Sequence, residues 1–331
     1  MIKVSIITPS FNQAKFIEET LVSVFNQTYQ PIEYIVIDGG STDGSQEIIK
    51  KYSDHINYWV SEKDNGQSDA INKGLLRSTG EIVCWLNSDD ILLPDAIEKA
   101  IKFFEAEPSV DFIHGKSILF GDGKREKIIG DKINDLSLRY VSYIPFPQPS
   151  SFFRRKIIEE TGLLKTDLHY GMDFELLARV ALKYKILHVS EIFSKYRLHD
   201  QAKTVDSKAF CRDWSIVFSK VLRSLDRTGE FIESYKVLDF YFEGDDKFEV
   251  LNFEYYDHLK KSFLYNLFIL FHYYYNAGLK KEVIKIGDMI KHTSYDFFKE
   301  NKLETEIRKI KYINPSLISI LRKVKKSIIK N

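Results

Sequence analysis

Cysteine, net charge and long apolar runs are all scarce in this chain, and each scarcity removes a class of protein. Cys84 and Cys211 are the only cysteines, far apart and without metal-type spacing or a disulfide framework. They are expected as free thiols in a reducing compartment. The formal net charge is only +1, which argues against a nucleic-acid binder relying on overall electrostatics and leaves a local basic patch open. The longest apolar stretch, Phe263 to Tyr275, is broken by Asn266 and His272 and is too short to span a bilayer. Near the start, VSIITPS follows a single lysine and is interrupted too soon by Pro9 to be a secretory h-region. The expected location is cytoplasmic, at most peripheral on the inner face of the membrane. Two nucleotide signatures are also missing. The glycine-rich segment after Ile37 lacks G-x-G-x-x-G spacing, with Asp38 where the first turn glycine would stand, and there is no P-loop.

What is present is a chain of 331 residues, 44% hydrophobic and 14% aromatic, long enough for one large domain plus an appendage. Its organising stretch runs from Ile82 to Asp95. The apolar run Ile82, Val83, Trp85, Leu86 reads as a buried strand and stops at Asn87, Ser88, Asp89 and Asp90. Carboxylates crowded at a strand end repel one another unless a cation is near, and hard divalent ions with oxygen ligands commonly arrive with a diphosphate. The alternative is a polar loop with Asp90 or Asp95 capping the helix near Pro94.

The preceding chain reads as repeated strand and helix. Val4 to Thr8 is a strand ending in Pro9, Ser10, Phe11 and Asn12, followed by a helix carrying Ile17, Leu21, Val24 and Phe25. Glu33 to Ile37 is a second strand running into Asp38 to Gly44, where Asp43 and Gln46 suggest a capping box. Ile56 to Val60 is a third, leading into Ser61 to Ala70 and a helix through Ile71, Leu75 and Leu76. Such βαβα order implies a mainly parallel sheet with ligands at the strand C-termini. Three strands in succession end in Asp-bearing loops, which makes a site the better reading.

VSIITPSFN, QTYQPIEYIVIDGGSTDGS, DNGQSDAINKG and STGEIVCWLNSDD, in that order, resemble the N-terminal half of a family 2 glycosyltransferase. PFPQPSSFFRR, GLLKTDLHYGMDFEL and KYRLHDQAKT extend the resemblance to about residue 205. It implies a GT-A fold: a mixed, mainly parallel sheet flanked by helices. It also implies an inverting, hexosyltransferase-type enzyme moving a sugar from a nucleotide-diphosphate sugar, a UDP-sugar first, to a saccharide or lipid-linked acceptor in cell-surface polysaccharide synthesis. A divalent cation, Mn²⁺ or Mg²⁺, would be its cofactor. The alternative is a non-catalytic nucleotide-sugar-binding scaffold subunit.

The resemblance also assigns residues. Asp89 matches the metal ligand of a D-x-D-type motif and His199 a histidine near the diphosphate or metal. Asn87 stands where an aspartate is common, suited to a ribose or metal-bound water, with Ser88 beside it and Asp90 as a supporting or ribose contact. Pro9, Phe11, Asn12 and Asp38 match the first nucleotide loops, and Asn65, Gly66, Asp69 and Asn72 the loop beside the nucleotide. Many relatives carry an aspartate that meets the base where this chain has Gly39, which leaves the base open. Asp173 matches the base that deprotonates the acceptor, with Met172 replacing its acidic neighbour; helix capping is its other reading. Gln148, Pro149, Ser150 and Arg154 resemble the acceptor side.

The expected divisions are 1–115 for the nucleotide-sugar half, 116–205 for the acceptor half and 206–331 for a helical C-terminal domain. That domain reads as aromatic-rich helices over Phe210–Leu225, Phe231–Phe242, His258–Tyr275 and Leu279–Lys291, with a turn at Ala277-Gly278. Its last helix sets Leu317, Ile320, Leu321, Val324 and Ile328 on one face among Arg322, Lys323, Lys325, Lys326 and Lys330. This suits an anionic membrane surface, or equally a solvated face of a packed helix. A homo-oligomer is compatible with everything above.

Overall fold

The computed structural model describes residues 1–121, 125–199 and 207–312. The chain divides into two compact units, Met1–Tyr140 with Ile144–Ala202, and Val141–Tyr143 with Lys203–Asn331.

In the first unit β1 (Val4–Ser10), β2 (Ile32–Asp38), β3 (Tyr58–Ser61) and β4 (Ile82–Trp85) are parallel, linked through α1 (Ile17–Phe25), α2 (Ser45–Lys51) and α3 (Gln67–Arg77). The chain continues through β5 (Ile91–Leu92), α4 (Ala96–Ala106), β6 (Phe112–Phe120), β7 (Lys127–Ile129) and α5 (Leu136–Tyr140). It ends with β8 (Ser151–Arg154), α6 (Lys156–Thr161), α7 (Met172–Lys183) and β9 (Ile186–Arg197). The sheet order is β3-β2-β1-β4-β8-β6-β9-β5, with β7 on β6. β8 is antiparallel to both β4 and β6, so the sheet is mixed, as the resemblance implied.

Alternation along β1 explains the layers. Val4 and Ile6 join Ile17, Leu21 and Val24 of α1 in one buried cluster, each such side chain contributing roughly 1.5–3 kcal/mol by burial. Ile7 faces the other way, toward α3. A Cβ on Gly74 would collide with Ile7, so glycine there lets α3 lie close on the strand.

Several boundaries differ from expectation. The third strand begins at Tyr58 rather than Ile56, and β9 runs as one continuous strand through Val189 and Phe193. An irregular register against β6 near Lys116 bends that strand without breaking it. The N-cap of α2 is Gly44, not Asp43. Asp43 instead accepts from Ser45 N (3.1 Å) and Ser45 Oγ (2.6 Å), while Gln46 Nε2 donates to Ser41 O. A division at 115/116 falls inside β6, so both expected halves share one sheet.

The second unit is helical: α8 (Ser207–Leu225), α9 (Glu230–Val237), α10 (Glu254–Asp257), α11 (Leu259–Asn276), α12 (Lys280–Thr293), α13 (Tyr295–Glu300) and α14 (Leu303–Tyr312). Phe218, Tyr235, Phe263 and Phe271 are buried in its core. Buried polar side chains pair there: Tyr235 donates to Asn266 Oδ1 (2.8 Å) and Asn266 Nδ2 to Ser142 O (2.9 Å). Gly278, at φ 74°, ends α11 as the sequence suggests. The helix expected to reach Phe242 stops at Val237, and Asp239 turns left-handed at φ 61°. Among the described residues no helix is long and apolar enough to cross a membrane. The basic terminal helix lies outside the described residues.

Candidate active site

The parallel register brings Ser10, Asp38 and Ser61 side by side at the C-terminal ends of β1, β2 and β3. Asp38 is 0% exposed. Its Oδ2 accepts from Gly40 N (3.2 Å), Ser41 N (2.9 Å) and Ser61 Oγ (2.6 Å), and its Oδ1 from Ser41 Oγ (2.5 Å). The expected nucleotide contact is therefore corrected: this carboxylate folds its own loop. Pro9 is likewise buried within β1. Phe11 is different, a ring 60% exposed just past the strand end. Asn12 adopts φ 53° and accepts from Thr42 N (3.0 Å), pinning the first loop to the second. An open cleft of about 680 Å³ adjoins them, lined by Asn12, Lys15, Phe16, Thr42 and Asp43.

After β4 the chain crosses from the middle of the sheet to β5 at its edge, and the acidic loop makes that crossing. Asn87 Oδ1 accepts from Gln67 Nε2 (2.7 Å), and its Nδ2 donates to Gln148 Oε1 (3.2 Å). Gln148 Nε2 returns to Trp85 O (3.0 Å). Ser88 is buried. Asp89 Oδ2 lies 2.9 Å from His199 Nε2, and Arg197 Nε donates to Asp89 O (2.8 Å). Asp90, also 0% exposed, accepts from Arg197 N (2.9 Å) and so ties the loop to the end of β9. Burial first, and the Asp89 charge second, push the Asp90 carboxyl well above the usual carboxylate range, against the opposing pull of Arg197. The expected ribose contact gives way to a buried anchor.

The loop before α3 faces the start of α7. Gly66 opens α3 at φ 103°, with Asn65 N on Asp69 Oδ2 (3.0 Å). The His169 ring lies 3.6 Å from where a Gly66 Cβ would be. Ser68 Oγ donates to Met172 Sδ at 2.7 Å. Asn72 bonds Leu164 twice, at 2.9 Å each way, and is structural. Asp173 does not cap α7, whose N-cap is Gly171; its Oδ1 accepts from Phe174 N (2.9 Å). With Trp85, Phe146, Gln148 and Leu176 it lines a small, mostly apolar cavity.

Two acceptor-side expectations are corrected. Ser150 is fully buried, its hydroxyl 2.7 Å from both Ser117 Oγ and Ser194 Oγ. Arg154 pairs with Ile82, at the opposite end of β4 from Asn87, and its guanidinium is held by Glu81 (2.6 Å) and the carbonyls of Val110 and Phe104. Gln67, Arg197, Ser41 and Ser61, absent from the sequence reading, hold the loops in place. Adjacency was the only available signal: Gln67 follows Gly66, and Arg197 precedes His199 by two.

The residues fit a divalent cation in a specific way. Among the described residues no three His, Cys, Asp or Glu side chains cluster to hold a metal. Asp89 and His199 offer two donors at one point, and Mg²⁺-type sites commonly combine one or two protein ligands with substrate phosphates.

The Glycosyl transferase family 2 profile matches residues 5–162. The chain is 36% identical over 216 residues, 59% of its length and 83% of the relative's, to the putative teichuronic acid biosynthesis glycosyltransferase TuaG of Bacillus subtilis. It is 32% identical over 187 residues, 54% of its length and 69% of the relative's, to an uncharacterized glycosyltransferase of Mycobacterium tuberculosis. Its fold is similar to that of S. aureus TarS 1-349 in complex with UDP-GlcNAc, with TM-score 0.60 and 16% identity, covering 93% of this chain and 90% of that one. It is also similar to the mannosyltransferase PcManGT from Pyrobaculum calidifontis in complex with GDP-Man and Mn²⁺, with TM-score 0.54 and 19% identity, covering 94% and 86%. The chain belongs to glycosyl transferase family 2 and is a glycosyltransferase with a GT-A-type fold.

Proposed function

We propose that this enzyme is a cation-dependent, inverting transferase moving a sugar from a nucleoside-diphosphate sugar, a UDP-sugar, to a saccharide or lipid-linked acceptor in cell-surface polysaccharide synthesis. The observation that carries the reading is the Asp89–His199 pair, 2.9 Å apart and braced by Arg197, with Asn87 and Gln148 between it and the Asp173 cavity. The relative named for teichuronic acid and the neighbours bound to UDP-GlcNAc and GDP-Man support the class of donor and product.

When bound, a divalent cation supplies charge neutralisation for the departing diphosphate. Asp89 and His199 would hold it, and Arg197 fixes the Asp89 backbone so that the carboxylate is pre-aimed. Asn87, locked between Gln67 and Gln148, spaces the donor from the acceptor side. Asp173 takes the proton from the acceptor hydroxyl. Attack then comes from the face opposite the leaving group and inverts the anomeric carbon.

The test is calorimetric titration of the full chain with UDP, GDP and dTDP, each with Mn²⁺ and with EDTA, repeated for Asp89→Ala. Binding of one nucleotide that needs Mn²⁺ and weakens by about 10- to 100-fold in the variant is expected, since a charged contact is worth roughly 1.5–3 kcal/mol. No nucleotide binding in Mn²⁺ would overturn the reading.

A further inference from the structure

Gly39 and Asp64 form one device. A Cβ built on Gly39 would lie 2.6 Å from Asp64 Oδ2, so the space a side chain at 39 would take is filled by a carboxylate arriving from the loop after β3. That loop is fixed in place. Glu62 N donates to Asp38 O (3.0 Å), Gly39 N to Ser10 O (2.8 Å), and Gly66 N to Asp64 Oδ1 (2.8 Å). One carboxylate oxygen is thereby spent on the backbone. The other, Oδ2, has no hydrogen-bond partner among the described residues and lies over a glycine floor beside a strand end whose next residue is the exposed Phe11 ring. The buried Ser10 hydroxyl at the same edge is also unpartnered among the described residues. An exposed aromatic ring after β1, a glycine at the end of β2 and one carboxylate oxygen over that glycine suit a planar heterocycle that presents a single ring N–H.

We infer that Asp64 is the specificity-determining residue for the donor's base and selects a pyrimidine imide, uracil or thymine, by accepting its N3–H. The inference rests on the nucleotide-sugar reading above and deepens it. Guanine presents two adjacent donors, N1–H and the 2-amino group, which match a carboxylate with both oxygens free. Cytosine presents an unprotonated N3, which a carboxylate repels. An Asp-to-Asn exchange keeps an oxygen for the Gly66 N–H and turns the other arm into a donor, suited to cytosine N3 rather than to an imide.

The experiment titrates the full wild-type chain and Asp64→Asn with UDP, dTDP, CDP and GDP in Mn²⁺. The wild type is expected to prefer UDP or dTDP, the tighter of the two naming the donor. Asp64→Asn should weaken that binding by about 10- to 100-fold while CDP binding holds or improves, so the imide-to-CDP ratio collapses. A merely structural role would lower all four together. That outcome, unchanged UDP and dTDP binding in the variant, or a wild type that prefers GDP, overturns the inference and leaves the transferase reading standing. A wild type that binds no nucleotide overturns both.

Discussion

The two ends of the same mixed sheet, taken along its parallel strands β1–β4, treat their polar groups in opposite ways. At the N-terminal end they are matched. Glu33 accepts from Lys3 (2.8 Å), Ser5 (2.5 Å) and both the N–H and hydroxyl of Thr79 (2.7 Å each), and Arg154 closes on Glu81. At the C-terminal end Ser10 Oγ, Asp90 Oδ2 and His199 Nδ1 are buried with no hydrogen-bond partner among the described residues. A buried polar atom left unpaired costs roughly 1–3 kcal/mol. Protein folding alone gives no return for that cost; the donor proposed above would offset part of it at Ser10, while Asp90 remains the buried anchor of its loop. The matched end contributes to stability instead, and substitutions should separate the two.

The largest separation is expected at Asp173. If it removes the acceptor proton, Asp173→Asn lowers turnover by about 10²–10⁴ and leaves the unfolding midpoint and nucleotide binding near wild type. Single-turnover kinetics beside a urea titration reads both. Turnover within a few-fold of wild type would return Asp173 to a local role near the start of α7.

Glu33 sharpens the other end. Burial works to raise its carboxyl, but the hydrogen bonds from Lys3, Ser5 and Thr79 hold it at about 2. A folded-state value below the unfolded one gives stability that is complete above the unfolded value of about 4.5 and is lost as pH falls toward 2. Glu33→Gln should therefore cost about 2 kcal/mol near neutral pH, and the gap to wild type should narrow as pH falls below the unfolded value. Urea unfolding at about pH 7 and about pH 3 measures it; a gap that does not shrink breaks the assignment.

This contrast also explains what was legible in the sequence. The strands were readable because burial on both faces leaves apolar-rich runs such as Val4–Thr8 and Ile82–Leu86, and the helices because Ile17, Leu21 and Val24 recur on one face. Asp38 misled because an aspartate at a strand end has the same local sequence whether it meets a ligand or its own loop. Its partners Ser41 and Ser61 are named only by the fold. Arg154 was misplaced because the antiparallel register that puts it opposite Ile82 leaves no local trace. The Gly39–Asp64 exchange spans 25 residues of sequence and closes only in space.

The finest test uses two serines on one strand. Ser5, at the matched end of β1, donates to Glu33 Oε2 (2.5 Å) and accepts from Gly80 N (2.8 Å). Ser10, at the other end, is as deeply buried and bonds nothing through its hydroxyl among the described residues. Ser5→Ala strands Gly80 N–H and removes one of the two hydrogen bonds to Glu33 Oε2, and should cost about 1 kcal/mol. Ser10→Ala removes a hydroxyl that has no partner to leave behind, so stability should change by less than about 0.5 kcal/mol or rise slightly. Its effect belongs to binding: affinity for the nucleotide should fall by about 2- to 10-fold, the worth of one neutral hydrogen bond, while Ser5→Ala leaves affinity unchanged. Should both serines cost the same stability and neither change binding, the two ends of the sheet would be equivalent and the division of labour argued from the unpaired atoms would fail.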